Sequence, residues 1–301
     1  MNYKWNAMQI RNKWLAMLAL ISMLSAHAQQ LTARQVIERI QQATGAQPPP
    51  NTVDTFKGGD PDEKVTGIVT TFLDTYAVLQ KAAADGHNLV ITHEPTFYNH
   101  PDDKSVLGDD PVQAQKEAFI RDHHLVVRRF HDLWHLRNPD GILDGVTAKL
   151  EWQKFQNPTE PHVFKLPPTT VAALDADLKQ KLGAESFRIV GDQNMQVTGV
   201  ALLPGASGEV KQVKMLERPD VDVLVAGEAS EWETVEYVRD AAAQGRHKAL
   251  ILLGHEVSEE PGMEYCAKWL QGLFPGIPVE FLKAGTPFAT GTNAAPLASN
   301  R

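Results

Sequence analysis

The sequence predicts an α/β protein in which strands and helices stack in layers. Three observations carry the prediction. Short β-branched or apolar runs alternate with amphipathic helical stretches from residue 65 onward, the pattern of α/β layers rather than of an all-α or all-β fold. A stretch near residue 82 recurs near residue 241 with the same order of features. The composition, 43% hydrophobic and 22% charged over 301 residues, is that of a folded globular chain, and at ~150 residues per domain the length suggests two lobes.

Residues 1–28 read as a secretory signal peptide. Lys4, Arg11 and Lys13 form a positive start, residues 15–24 are apolar but for Ser22, and Ser25-Ala26-His27-Ala28 offers small residues for cleavage. The apolar run is too short to span ~30 Å of hydrocarbon as a helix. Its removal takes three cations and no anions and moves the net charge from −8 to −11. The product is expected to be periplasmic or secreted, free of the membrane once the signal is gone. With no basic stripe, nucleic acid is not an expected partner.

Val36, Ile37 and Ile40 give residues 32–42 helical spacing, and Pro48-Pro49-Pro50 follows. Residues 65–73 are β-branched and apolar, 76–84 form a helix closed by Gly86, and 89–92 a short buried strand. A helix over 111–122 leads to a strand over 125–130. The middle, 151–189, is less regular, with a helix near 169–182 after Pro167-Pro168. Residues 197–203 read as a strand, followed by the turn Pro204-Gly205-Ala206-Ser207-Gly208. Strand 221–226, helix 231–243, strand 249–253 and helix 261–273 complete the order. The lobes are placed at about 29–150 and 190–288, and the small and polar residues of 289–301 as a flexible tail.

The internal repeat brings the chemistry together. Ala82-Ala83-Ala84-Asp85-Gly86 precedes an apolar strand and then His93-Glu94; Ala241-Ala242-Ala243-Gln244-Gly245 precedes another and then His255-Glu256. Each copy is a helix end, a glycine cap, a strand and a His-Glu pair just past it, where open α/β sheets collect ligand-bearing residues. Glu259 stands four residues after His255, so a turn helical from His255 puts both on one face; Ser258 and Pro261 suggest a helix starting there. His131-Asp132-Leu133-Trp134-His135 follows a third strand. His93, Glu94, His131, Asp132, His135, His255, Glu256 and Glu259 thus form a nitrogen and oxygen pool suited to Zn, Mn, Fe, Co or Ni. Five or more such ligands exceed what one zinc takes and point to two metals.

Other chemistries have no support. The single cysteine, Cys266, lies in an amphipathic stretch beside Trp269 and Leu270 and excludes an intrachain disulfide framework and thiolate-rich metal sites. Neither His-Glu pair has the second histidine of a zincin, and no Walker loop or Gly-x-Ser-x-Gly elbow occurs. His87 and His162 read as solvated surface residues.

Several ordered motifs then make the chain resemble the Nif-three-like dinuclear-metal-centre hexameric family, also labelled GTP cyclohydrolase I type 2 homologues. They are Lys57-Gly58-Gly59-Asp60-Pro61, Phe72-Leu73-Asp74-Thr75, Ile91-Thr92-His93-Glu94-Pro95, Ala226-Gly227-Glu228, Gly254-His255-x-x-Ser258-Glu259, and Val279-Glu280-Phe281 followed by Pro287-Phe288. The resemblance implies two similar, intertwined α/β lobes with the metal site between them, assembled as ring-shaped hexamers. It also implies two divalent ions on a His-His pair, an Asp, and the His and Glu of the last motif. Position by position these fall on His93, Glu94, His135, His255 and Glu259, so Glu94 replaces a histidine and His135 replaces the Asp. The exchange preserves three imidazoles and two carboxylates, and the anionic count that two divalent ions need. It leaves open which carboxylate bridges and which metal is preferred. The segment before Gly58 also departs, reading Asn51-Thr52-Val53-Asp54.

Such a centre activates water for hydrolysis of a small molecule. Glu228, at a strand end, is the candidate general base, or else a carboxylate behind a ligand. Asp74 is a weaker candidate for orienting a ligand histidine, and the turn at 205–208 offers N–H groups for an anion or is only a connector. The alternative to a hydrolase is a non-catalytic metal-buffering ring or a partner scaffold.

Overall fold

The computed structural model describes residues 30–288; the signal segment and the tail after residue 288 lie outside the described residues. Helix α1 (Ala33–Thr44) opens with a reciprocal cap, the Thr32 hydroxyl accepting from the Gln35 N–H while the Gln35 side chain accepts from the Thr32 N–H. Its buried stripe includes Val36, Ile37 and Ile40. The first lobe then runs β1 (Phe56–Gly58), β2 (Ile68–Thr71), α2 (Tyr76–Ala84), β3 (Leu89–Thr92), α3 (Pro111–Asp122), β4 (Val126–Arg129), α4 (Asp132–Leu136) and α5 (Gly141–Lys149). The second runs β5 (Val163–Thr170), α6 (Val171–Leu182), β6 (Arg188–Val190), β7 (Gln196–Leu203), α7 (Glu209–Glu217), β8 (Val223–Ala226), α8 (Glu236–Ala243) and β9 (Ala249–Leu252). A long α9 (His255–Leu273) and β10 (Val279–Phe281) close the described chain.

Two five-stranded sheets result, ordered β1-β4-β3-β2-β10 and β5-β7-β8-β9-β6. Pairings among β10, β2, β3 and β4, and among β7, β8 and β9, are parallel, while β1, β5 and β6 are antiparallel edges. Every residue of β2, β3, β4, β8 and β9 is buried, because helices cover both faces of each sheet. The apolar interior accordingly divides into four clusters, one on each sheet face.

The lobes are intertwined through the last two elements. From β9 in the second sheet the chain enters α9, packs on α5, and returns as β10 beside β2 in the first sheet. The Thr70 hydroxyl on β2 donates to the Met263 carbonyl at 2.9 Å, and the Trp134 indole N–H donates to the Gly262 carbonyl at 3.3 Å. Helices α5 and α9 cross backbone to backbone: a Cβ on Gly145 would lie 2.5 Å from the Gly262 Cα, so any larger residue there would push the helices apart.

The structure moves several expected boundaries. The helix expected from residue 261 begins at His255, after Gly254 at φ 88, and keeps Pro261 in its interior; Ser258 lies inside it rather than at its cap. The stretch 231–243 opens as a π-turn over Glu231–Val235 before α8. Pro167 and Pro168 belong to the edge strand β5, across a register shift between Lys165 and Thr169, where no ladder N–H is required of them. The strand expected over 65–73 narrows to β2. Elements β1, β6, β10 and α4, of three to five residues, are additions too short for periodicity to reveal; β5, α5 and α7, of eight or nine residues, are further additions.

Candidate metal centre

Three parallel strands deliver the site. β3 ends in Thr92 and is followed by His93 and Glu94; β4 ends in Arg129, and the turn after it carries His131 and, on α4, His135; β9 is followed by His255 and Glu259 on the first turn of α9. The repeated arrangement is real in space: α2 is followed by Gly86 at φ 77 and α8 by Gly245 at φ 71, each leading into the strand that bears a histidine. Because α9 is helical from its first residue, His255 and Glu259 share a face and touch, Nε2 to Oε2 at 3.1 Å.

The four imidazoles present Nε2 to the same two carboxylates. Glu259 Oε2 lies 3.4 Å from His93 Nε2, and Glu259 Oε1 lies 4.0 Å from His135 Nε2. Glu94 Oε1 lies 3.5 Å from His255 Nε2 and 3.7 Å from His131 Nε2. Ligand atoms of His93, His131 and His135 lie within 4.8 Å of one another, as do those of His93, Glu94 and Glu259.

On the far side of every ring an acceptor takes Nδ1. The Phe130 carbonyl meets His93 at 3.2 Å, Asp132 Oδ1 meets His131 at 2.9 Å, Asp140 Oδ2 meets His135 at 3.0 Å, and Glu228 Oε1 meets His255 at 3.4 Å. A proton kept at Nδ1 by these acceptors would leave Nε2 to offer its lone pair to an ion, the arrangement of metal-bound histidines. Asp54 seats the third cluster: it accepts the backbone N–H groups of His131, Asp132 and Leu133 at 2.7, 3.0 and 2.9 Å and so caps α4 from a distance.

The donor set fits divalent cations. Glu259 is 3% exposed and His93 fully buried, and His93 Nε2 has no hydrogen-bond partner; a lone pair buried without a donor is costly unless something cationic meets it. Burial alone would raise both carboxyls, but His255 and His93 outweigh it, holding Glu94 below the usual range and Glu259 well below it. Burial and the neighbouring rings of His93 and His135 bring His131 down to about 4. Burial opposes charging of His135 and His255 as well, yet Asp140 raises the former, and Glu259 and Glu94 raise the latter to about 10.

All five residues expected as ligands, His93, Glu94, His135, His255 and Glu259, come together, and His131 joins them as a sixth donor. The rest of the pool divides. Asp132 stands behind His131, with its second oxygen accepting from Thr52 and Val53. Glu256 faces away toward Glu260 and Lys283. Glu228, 54% exposed, meets His255 at Nδ1 rather than Nε2. Asp74 does not orient a ligand histidine: it is wholly buried 3.6 Å from Lys116, because its position at the start of α2 points it toward α3. The turn 204–208 gives the Gly205 N–H to Ser258 Oγ at 2.9 Å and lays its bare backbone on Glu259, where a Cβ on Gly205 would fall 2.2 Å from Oε1. His162 is tied by Nδ1 to the Leu202 carbonyl at 3.0 Å, and the His87 side chain is 13% exposed against Gly67, so neither is a solvated surface residue. Cys266 is fully buried, and burial pushes its thiol up. Missed in the sequence were Asp54, Asp140 and Arg129; the two arginines inside the apolar run Val126-Val127-Arg128-Arg129-Phe130 were the available signal.

Two α/β sheets joined through one helix, with imidazoles and carboxylates gathered from both at strand ends, define a class of paired-lobe protein with a candidate metal site between the lobes. The sequence model of the Duf34/NIF3 (NGG1p interacting factor 3) family matches residues 52–287, and the chain belongs to that family. It is 24% identical over 226 residues to a "GTP cyclohydrolase 1 type 2 homolog" of Clostridium acetobutylicum, covering 71% of this chain and 80% of the relative. The protein of the same name from Clostridium perfringens is 22% identical over 217 residues, covering 67% and 77%. Among solved structures, a Bacillus cereus protein related to NIF3 superposes with a TM-score of 0.70 at 13% identity, covering 87% of this chain and 100% of that one. Staphylococcus aureus protein SA1388 superposes with a TM-score of 0.68 at 17% identity, covering 87% and 99%. At these identities the superpositions speak to the fold alone.

Proposed function

We propose that this chain is an exported, dinuclear metal-dependent hydrolase of a small molecule, with His93, Glu94, His131, His135, His255 and Glu259 as the metal-holding set. The observation that carries the reading is the convergence of four Nε2 atoms on two carboxylates, Glu259 buried and Glu94 largely so, with His93 Nε2 left without a hydrogen bond. Two divalent ions held there supply Lewis acidity and a nucleophile at neutral pH. The chain's own residues do the rest. Glu259 presents one oxygen toward His135 and the other toward His93 and His255, so both of its oxygens would be available to hold metal. Asp132, Asp140, Glu228 and the Phe130 carbonyl hold protons at Nδ1 and keep the rings aimed. Phe72, whose ring centroid is 5.4 Å from that of His255, packs against one side of that ring. Glu228 is exposed enough to take a proton from solvent or substrate and close enough to His255 Nδ1 to share it.

Export rests on the segment 1–28, and a hexameric ring on the family resemblance. An exported protein meets little GTP, and a shared fold does not carry a substrate with it, so the substrate is sought among small extracytoplasmic phosphoesters, amides and ring compounds. The test is elemental analysis of protein from its own compartment, followed by turnover panels on the metal-loaded form. About two metal equivalents, with turnover that Glu228→Gln abolishes while the metals stay bound, bears the proposal out. Two readily exchangeable metals with no turnover anywhere replaces it with a metal-buffering ring, and binding that survives chelation replaces it with a partner scaffold.

A further inference from the structure

We propose that Arg129 is a positioning residue that makes Glu94 a one-oxygen ligand, and thereby sets how tightly the ion beside His131 and His255 is held. The inference rests on the metal-centre reading above and concerns a feature of this chain: a carboxylate where the family resemblance expects a second histidine. An imidazole in that place is neutral and needs only an acceptor behind it. A carboxylate brings a charge and two equivalent oxygens, and something must decide which oxygen faces the ions.

Arg129, at the end of β4, has a fully buried side chain. A guanidinium does not shed its proton on burial, so its donors need partners. They have them: Nε–H donates to the His93 carbonyl at 3.1 Å, Nη1–H to the His100 carbonyl, and Nη2–H to Glu94 Oε2 at 3.1 Å. Asp102 Oδ2 lies 3.5 Å from Nη1 and 2.9 Å from Lys57 Nζ, with Asp102 2% and Lys57 5% exposed. The result is a buried line of alternating charge, Lys57, Asp102, Arg129, Glu94, that runs up to the metal centre and stops there.

The two carboxylates of the centre therefore differ. Glu259 turns both oxygens toward imidazoles, whereas Glu94 has Oε2 on the guanidinium and only Oε1 toward His255 and His131. Arg129 also grips the carbonyl of His93, so one fork aligns two neighbouring ligands. The positive charge beside Glu94 offsets part of its anionic charge, and the ion nearest it gains its affinity from alignment more than from charge.

Cobalt(II) titration of metal-free protein, followed by visible absorbance and by calorimetry, tests this with wild type, Arg129→Gln, Arg129→Lys, Glu94→Gln and the Arg129→Gln/Glu94→Gln double variant. Far-UV circular dichroism and metal-free melting establish folding. Arg129→Gln is expected to weaken one of two bound ions by about tenfold or more, the usual scale for loss of a residue behind a metal ligand. Affinity for the other ion is expected to change far less, and the cobalt absorption band to change as Glu94 gains freedom. Arg129→Lys, which keeps the charge but cannot span three acceptors, loses the same ion and carries the test if Arg129→Gln does not fold. In the Glu94→Gln background, Arg129→Gln is expected to cost clearly less than it does in wild type, because only its hold on the His93 carbonyl remains to be lost. Wild-type affinities and spectrum in folded Arg129 variants, or equal losses in both Glu94 backgrounds, overturn the proposal while leaving the metal centre standing. Failure of wild type to bind cobalt overturns both.

Discussion

Asp140 serves two partners with different oxygens. Oδ1 accepts from the Ile142 and Leu143 N–H groups and starts α5, while Oδ2 holds His135 Nδ1. The two roles separate on substitution. Asp140→Asn retains the capping oxygen and is expected to leave melting nearly unchanged while lowering metal affinity about tenfold; Asp140→Ala is expected to lose about 1 kcal/mol of stability as well. Denaturant unfolding and zinc titration check the pair. Asp74 bears on pH dependence. Burial lifts its carboxyl to about 6, with Lys116 offsetting only part. The folded state therefore binds this proton more tightly than the unfolded state, whose value is near the ordinary 3.8. Its contribution favours folding below about pH 4 and is lost as the pH rises to about 6. The melting temperature of metal-free Asp74→Asn minus that of wild type is expected to climb across that window; a flat difference would show that Asp74 does not titrate there.

At the scale of elements, the crossing of α5 and α9 decides whether the site assembles. Helix α9 carries His255 and Glu259 on its first turn, and its position relative to the first lobe is set where Gly145 meets Gly262. A Cβ on Gly262 would also come within 2.6 Å of the Ile142 Cα, a backbone contact that no rotamer change relieves. Gly145→Val is expected to destabilise by about 1–3 kcal/mol, the range for overpacking, and to weaken metal binding although it touches no ligand. Urea unfolding and cobalt titration of the same preparation test this; lost stability with unchanged metal affinity would show that the crossing does not govern the site. The longer elements could be read from periodicity, whereas β1, β10 and α4 are only three to five residues each and too short to show a period.

At the scale of the whole molecule, the candidate ligands come from strand ends of two different sheets, so an ion bound among them would tie the lobes together. Metal at a hundred times its dissociation constant is expected to add roughly 2.7 kcal/mol to stability, and a chelator to remove it. Scanning calorimetry with and without chelator measures the effect, and equal melting in both would mean that no ion bridges the lobes. The lobes are also linked without metal, through α9 and β10, so metal-free protein is expected to stay folded. Among the described residues no helix is long and apolar enough to cross a membrane.

The sequence by itself determined the alternation of strands and helices, the repeated His-Glu strand ends, the family, and five of the six side chains that the structure gathers at the strand ends. These are local features: period, cap and strand end are properties of neighbouring residues. Only the tertiary structure decided that His131 turns inward while Asp132 stands behind it, that Glu256 faces away, that Asp74 pairs with Lys116, and that Arg129 holds one oxygen of Glu94. Those outcomes depend on how α9 docks the second sheet against the first. Docking of that kind sets which side of each ring meets a partner from a distant part of the chain, and no spacing along the sequence encodes it.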